Sequence, residues 1–222
     1  MNIRYSSLSE PCGQDNEDTI VVKHDPDSGK ALFMVCDGMS GLYRGDQASL
    51  LVADTFSSVW EEHHLNQSTG WMISHALEKA QESLDMMSRY NAGTTLVLAV
   101  FDGEQITIAH LGDSKAFYHR LGQGLLYETT DHVCVNEEGW SYVSKGIFNF
   151  RQLEQPDQKE LKALHGDKIL LCSDGVTNCF GSWKLINLLQ EDMSPSSFLS
   201  EINAYCDTYA RDNYSAIMVE VL

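Results

Sequence analysis

The stretch Ala-Leu-Phe-Met-Val-Cys-Asp at 31–37 sets six apolar residues in a row and closes them with a carboxylate. So short an apolar run reads as a strand that buries its side chains, and its terminal acid is then aimed out of the sheet edge. The elements after this strand decide the architecture. Residues 46–62 place Ala48, Leu51, Val52, Thr55, Phe56, Val59 and Trp60 on one helical face, and 71–88 do the same with Trp71, Ala76, Leu77, Ala80, Leu84 and Met87. Only then come the β-like runs 94–101, 105–111 and 115–120, with Asp-Gly-Glu at 102–104 reading as a hairpin turn. Consecutive helices succeeded by consecutive strands do not fit an alternating parallel α/β sheet; antiparallel sheet covered by helices does. Further strands at 18–23, 168–173 and 215–221, with helices at 181–190 and 196–209, the last opened by Ser-Pro-Ser, complete an α+β pattern.

The carboxylate at the strand end recurs. Asp113 follows Ile-Thr-Ile-Ala-His-Leu-Gly, Asp174 follows Ile-Leu-Leu-Cys-Ser, and Asp212 stands just before Ser-Ala-Ile-Met-Val. Strands ending this way can converge their acids on one point. Clustered carboxylates repel one another and raise each other's pKa, a cost that cations remove. A donor set made only of oxygen selects hard ions, Mg²⁺, Mn²⁺ or Ca²⁺, over Zn²⁺.

Composition agrees with one domain over 1–222: 43% of the residues are hydrophobic and 21% charged, without the polar bias of disorder. The net charge of −17, from 32 acids against 15 Lys plus Arg, argues against nucleic-acid and anionic-membrane partners. Part of that excess belongs to the metal site. The first ten residues lack the apolar core of a signal peptide, and no run approaches the ~20 apolar residues of a membrane helix. The expectation is a soluble cytoplasmic protein, and nothing demands more than a monomer. Six scattered cysteines show no zinc-finger spacing; Cys36 and Cys172, inside acid-bearing strands, read as buried thiols in a reducing compartment.

Residues 133–165 are the least regular stretch and read as a flap-like connection. Its Trp140, Tyr142, Phe148 and Phe150 are expected in the core rather than against a substrate, as are Trp60 and Trp71 on their helices. His132 reads as a structural hydrogen-bonding residue, and His63 and His64 as complements to a helix C-terminus. Gly-Leu-Tyr-Arg-Gly-Asp at 41–46 lacks the Lys-Ser/Thr ending of a phosphate loop and reads as a helix entry.

Read in order, these strings resemble the protein phosphatase 2C family of metal-dependent Ser/Thr phosphatases, in its short bacterial form. Seven segments carry the resemblance: Asn-Glu-Asp-Thr (16–19), Val-Cys-Asp-Gly-Met-Ser-Gly (35–41) with Gly-Asp-Gln-Ala-Ser (45–49), Gly-Thr-Thr (93–95), His-Leu-Gly-Asp-Ser-Lys (110–115), Thr-Asp-His (130–132), Cys-Ser-Asp-Gly-Val (172–176) and Asp-Asn (212–213). It implies a four-layer αββα sandwich of two antiparallel sheets, each covered by a pair of helices, with metal ions in a cleft at one end. By that pattern Asp37 bridges two Mn²⁺ or Mg²⁺ ions, the Gly38 carbonyl contacts one, and Asp174 and Asp212 complete the first ion's protein ligands. Glu17 and Asp18 match the positions that hold the second ion, directly or through water. Asp113, with Asp174, matches a third, looser site. The implied catalytic acids are Asp37, Asp174 and Asp212, and the implied reaction is attack of a metal-bridging hydroxide on a phosphoserine or phosphothreonine ester. The substrate would be a protein phosphorylated by a Ser/Thr kinase.

The chain departs from the pattern in places. Four residues before Glu17 the family carries an Arg that clamps the substrate phosphate, and here Gly13 stands. Losing that fork predicts weaker phosphate binding, with Arg4 or Arg44 as candidate substitutes. Ser40 replaces a second Gly, Lys115 replaces an Arg, Met39 stands where the eukaryotic form has a His, and the stretch from Asp131 to Asp174 is short. Two alternatives remain open at this point: a non-catalytic phosphoprotein-binding module, and a small-molecule phosphatase on the same metal centre.

Overall fold

The computed structural model describes residues 2–39, 41–87 and 90–222. The chain opens with β1 (Ile3–Glu10), β2 (Asp18–Asp25) and β3 (Lys30–Asp37), then runs through α1 (Gly45–His63) and α2 (Thr69–Met87). Next come β4 (Gly93–Thr94), β5 (Leu96–Asp102), β6 (Gln105–Leu111), β7 (Lys115–Arg120) and β8 (Gly124–Glu128). The flap region holds β9 (Val133–Val135), β10 (Ser141–Val143), β11 (Ile147–Phe148) and β12 (Asp157–Lys162). The chain closes with β13 (Lys168–Cys172), α3 (Asp174–Phe180), α4 (Ser182–Leu189), α5 (Pro195–Tyr209) and β14 (Tyr214–Val221). No described helix is long and apolar enough to cross a membrane.

Two antiparallel sheets result, ordered β12-β6-β5-β3-β2 and β1-β14-β13-β7-β8. β3 shows why the opening string has no alternation. Phe33 and Val35 pack against the second sheet, while Leu32, Met34 and Cys36 pack against the helices, among Val52, Phe56, Leu77 and Leu84. Neither face meets water. Tyr118, Ile169, Leu171, Ile217 and Val219 form the other wall of the inter-sheet core, and Leu170, Cys172 and Met218 turn outward onto Val176, Leu185, Phe198 and Ile202. The layers are therefore helices, sheet, sheet, helices, as expected. The second helical layer holds α3, α4 and α5 rather than a pair.

Six strands lie wholly outside the expected runs: β1, β8, β9, β10, β11 and β12. β1, β8 and β12 are edges of the two five-stranded sheets, paired on one flank only; Asp-Gln-Lys-Glu-Leu-Lys in β12 is a charged edge of the kind that blocks further pairing. The stretch 133–165 is thus partly ordered: β9 and β10 form a hairpin, and β12 joins the first sheet. Trp140, Tyr142 and Phe150 were expected in the core and are instead exposed: Trp140 and Tyr142 belong to the two-stranded β9–β10 hairpin, which has no second layer over it, and Phe150 lies beyond the end of β11; Phe148 is buried. Trp60 is buried, but Trp71 is not. The buried stripe of α2 runs through Met72, Ile73, Ala76, Leu77, Ala80 and Leu84, and Trp71 falls at its margin, stacked on His75 at 4.5 Å. Cys36 and Cys172 are buried, while Cys12 and Cys134 are exposed. Residues 41–46 do enter a helix, through a left-handed Arg44.

Candidate metal centre

The side-chain alternation that fills the inter-sheet core turns polar at one end. On β3, Phe33 and Val35 are followed by Asp37; on β13, Ile169 and Leu171 by Ser173; on β14, Val219 and Ile217 lead back to Ser215; on β5, Ala99 and Val97 lead back to Thr95. Asp18 stands directly across from Asp37 in the β2–β3 register and so shares its face.

Hydrogen bonds tie this layer together. Ser173 Oγ donates to Asp18 Oδ2 at 2.7 Å and accepts from the Ser215 amide at 2.9 Å. Thr95 Oγ1 accepts from the Asp37 amide at 3.1 Å and lies 2.7 Å from Ser114 Oγ, which anchors the turn carrying Asp113. Asn178, one turn into α3, donates to Asp174 Oδ2 at 3.0 Å. Asn213 accepts the Glu17 amide at 3.0 Å, binding the approach to β14 to the approach to β2.

Two glycines permit the convergence. A Cβ on Gly38 would lie 2.3 Å from the Gly45 carbonyl oxygen, so α1 starts in contact with the Asp37–Gly38 junction only because no side chain intervenes. A Cβ on Gly175 would fall 1.9 Å from the Asn213 oxygen, which is how closely α3 and the start of β14 bring Asp174 and Asp212 together. Glu17 lies on the helix side of the junction, with Oε1 beside Gly45.

Asp37, Asp113, Asp131, Asp174 and Asp212 line an open cleft of about 600 Å³, with Asp18 buried behind them; Gly38, next to Asp37, is buried as well. Crowding is expressed in their acidity. Burial, then the charges of Asp18, Asp174, Asp113 and Asp212, push Asp37 well above the usual carboxylate range. Burial raises Asp18 to about 6 against the lowering bond from Ser173, and raises Asp113 to about 6 with help from Asp174. Asp174 is raised by burial and then by Asp212.

Divalent cations fit these residues. Asp18 Oδ1 is buried with no hydrogen-bond partner among the described residues, a costly state for a carboxylate oxygen unless a cation faces it. The donors are all oxygen, which suits Mg²⁺ or Mn²⁺.

A second group, His110, His132 and Asp157, also brings ligand atoms within 4.8 Å. Its imidazoles are stacked, 4.6 Å apart and 5° from parallel, so their in-plane lone pairs do not converge, and Lys145 already holds Asp157 at 2.6 Å. His132 Nδ1 instead accepts the Gly112 amide at 3.1 Å and braces the Asp113 turn, the structural role expected of it.

Sequence reasoning did not single out Ser173, Asn178, Asp131 or Arg151. Ser173 had a signal, since it continues the inward alternation of Ile169 and Leu171. Asn178 and Arg151 had none, because what they touch is set by packing between elements. Arg4 pairs with Glu220 at 2.5 Å and Arg44 with Asp46 at 3.1 Å, so neither substitutes in the cleft. Ser40 lies outside the described residues.

The protein phosphatase 2C family model matches residues 10–222, and the chain belongs to that family. It is 28% identical to the serine/threonine phosphatase stp of Listeria monocytogenes over 92% of this chain and 90% of that one. It is 29% identical to the protein phosphatase PhpP of Streptococcus pneumoniae over 75% of each. Among solved structures, a Streptococcus agalactiae serine/threonine phosphatase matches in fold with a TM-score of 0.84, at 22% identity and with both chains fully covered. The catalytic domain of the phosphatase PstP, solved with two manganese ions, matches with a TM-score of 0.78, at 21% identity and over 99% of this chain and 98% of that one.

Proposed function

We propose that the chain is a cytoplasmic, single-domain protein serine/threonine phosphatase that uses two Mn²⁺ or Mg²⁺ ions, with Asp113 and Asp174 facing a third. The observation that carries this reading is the convergence of Asp18, Asp37, Asp174 and Asp212 at one end of the sandwich with a buried, unpartnered oxygen on Asp18. The names of the bacterial relatives support it.

Asp37, Asp174, Asp212 and the Gly38 carbonyl would hold one ion, with Glu17 and Asp18 on the side of the second. When bound, such ions neutralise phosphate oxygens and lower the pKa of water enough to make it the nucleophile. Ser173 keeps Asp18 oriented, Asn178 keeps Asp174 oriented, and Thr95 fixes the backbone of Asp37. Among the described residues of the cleft none resembles a protein nucleophile held by a base, so no covalent phosphoenzyme is invoked. Met39 lines the cleft and no histidine is among its described lining residues, which leaves a cleft acid or water to protonate the departing Ser or Thr oxygen. Val133, Tyr142 and Val143 of the hairpin form the apolar rim over which a phosphopeptide from a kinase substrate would lie.

The test is phosphate release from a phosphothreonine peptide and an aryl phosphate by chelator-stripped protein titrated with Mn²⁺ and with Mg²⁺, beside Asp37→Asn. Peptide turnover that requires metal and disappears in the variant supports the reading. Turnover of the aryl ester alone would make this a small-molecule phosphatase, and binding of the phosphopeptide without turnover would make it a regulatory module.

A further inference from the structure

The described residues of the cleft present five carboxylates, Asp37, Asp113, Asp131, Asp174 and Asp212, to a dianionic phosphate, and the clamp position holds Gly13. No residue of the 11–16 loop is among the described residues that line the cleft. Gly13 adopts φ 127, a conformation that L-residues rarely take, and neighbouring Cys12 leans on the end of α5 through a 3.5 Å contact from Sγ to the Ala210 carbonyl. Other cations near the site are occupied: Lys115 by Asp131 at 2.8 Å, Lys145 by Asp157 at 2.6 Å.

One cationic side chain is left among the described residues that line the cleft, Arg151. Its guanidinium lies on the Phe148 ring, 4.1 Å from the centroid, and meets no carboxylate among the described residues. Stacking on an aromatic face leaves the guanidinium N–H fork free to take two oxygens of a phosphate.

The backbone beneath it is pinned on several sides. Phe148 pairs with Gly93, and its carbonyl accepts Gln81 Nε2 at 2.6 Å. Asn149, almost wholly buried, accepts the Ala92 amide at 2.8 Å and donates to the Tyr90 carbonyl at 2.9 Å. The Phe150 amide donates to Asp85 at 2.7 Å. Phe150 itself sits at φ 58, a left-handed conformation that a bulky residue adopts only when its surroundings force it. The next residue along the chain is Arg151.

We propose that Arg151, presented to the cleft by the left-handed turn at Phe150, is the phosphate-binding cation of this chain in place of the arginine absent at position 13. The proposal rests on the phosphatase reading and adds the residue that orients its substrate. It also accounts for the lack of a side chain at position 13: the clamp comes from the flap side of the cleft, so the 11–16 loop does not have to supply it.

The test measures the Kd of inorganic phosphate for Mn²⁺-loaded protein by calorimetry, and KM and kcat on a phosphothreonine peptide, for wild type, Arg151→Met and Arg151→Lys. Methionine keeps the packing over Phe148 without the charge. The expected result is a rise of about tenfold or more in both phosphate Kd and KM for Arg151→Met, partial recovery with lysine, and an unchanged Mn²⁺-induced shift in Tm. Phosphate affinity within twofold of wild type in Arg151→Met overturns the proposal, and if turnover also persists the phosphatase reading survives alone. Should Arg151→Met lose its metal-induced Tm shift through misfolding, Arg151→Lys decides, because full phosphate affinity there excludes a bidentate fork. Arg151-dependent phosphate binding by a wild type that turns over no peptide would keep the clamp and remove the phosphatase reading.

Discussion

Asp18 states the residue-scale logic most clearly. One of its oxygens takes a hydrogen bond from Ser173 and the other, buried, takes none from any described residue. Without metal the cluster favours protonation: Asp18 and Asp113 are both raised to about 6 from a reference of 3.8. A carboxylate raised on folding adds stability below its unfolded value and loses that stability as pH rises through its folded value. Chelator-treated protein is therefore expected to lose Tm as pH climbs through about 6, and the rise in Tm on adding Mn²⁺ should be larger at about pH 7 than at about pH 5. An equal metal-induced shift at both pH values would contradict this. Ser173→Ala removes the hydroxyl that orients Asp18 and should weaken Mn²⁺ affinity by roughly 10–100-fold, read by a metal titration. The strand-end aspartates were legible from sequence because their position follows from local pattern. Ser173 acting on Asp18, 155 residues away, was not, because that contact exists only once two sheets have packed.

At the scale of elements, exposure decided what could be read. β3, β5, β13 and β14 are covered on both faces and announce themselves as apolar runs, whereas β1 and β12 are edges whose polar composition hides them. α3 was hidden for another reason. It begins immediately after β13, and its few residues serve chiefly to set Asp174 and Asn178 beside β14. That junction has no spare volume. Gly175→Ala would drive a methyl into the Asn213 carbonyl, and the forced separation of α3 from β14 should cost about 1–3 kcal/mol or more and suppress activity together with Mn²⁺ affinity. Chemical denaturation and metal titration of the same sample check both. A variant as stable and as metal-responsive as wild type would mean the two acids need no such contact.

On the scale of the whole molecule, the sandwich separates function from support. Strand β7 begins beside the Asp113 turn and ends at Arg120, whose guanidinium makes a two-pronged pair with the fully buried Asp167 at 2.9 and 2.8 Å, while the Tyr118 hydroxyl donates to the same carboxylate. Arg120→Met strands a buried charge and is expected to cost about 3–5 kcal/mol by denaturant unfolding, while kcat and metal affinity at the opposite end stay near wild type. Unequal legibility has the same origin at this scale. The layer order came from the succession of helices and strands, but the exposed hairpin aromatics and the cleft-facing Arg151 depended on where the flap region lands. The central claim is that the aspartate cluster at the end of the sandwich is the metal centre. Anomalous diffraction from crystals grown with Mn²⁺ tests it most directly. The account predicts peaks among Asp18, Asp37, Asp174 and Asp212 and none at His110, His132 and Asp157; an empty aspartate cluster in such crystals would contradict it.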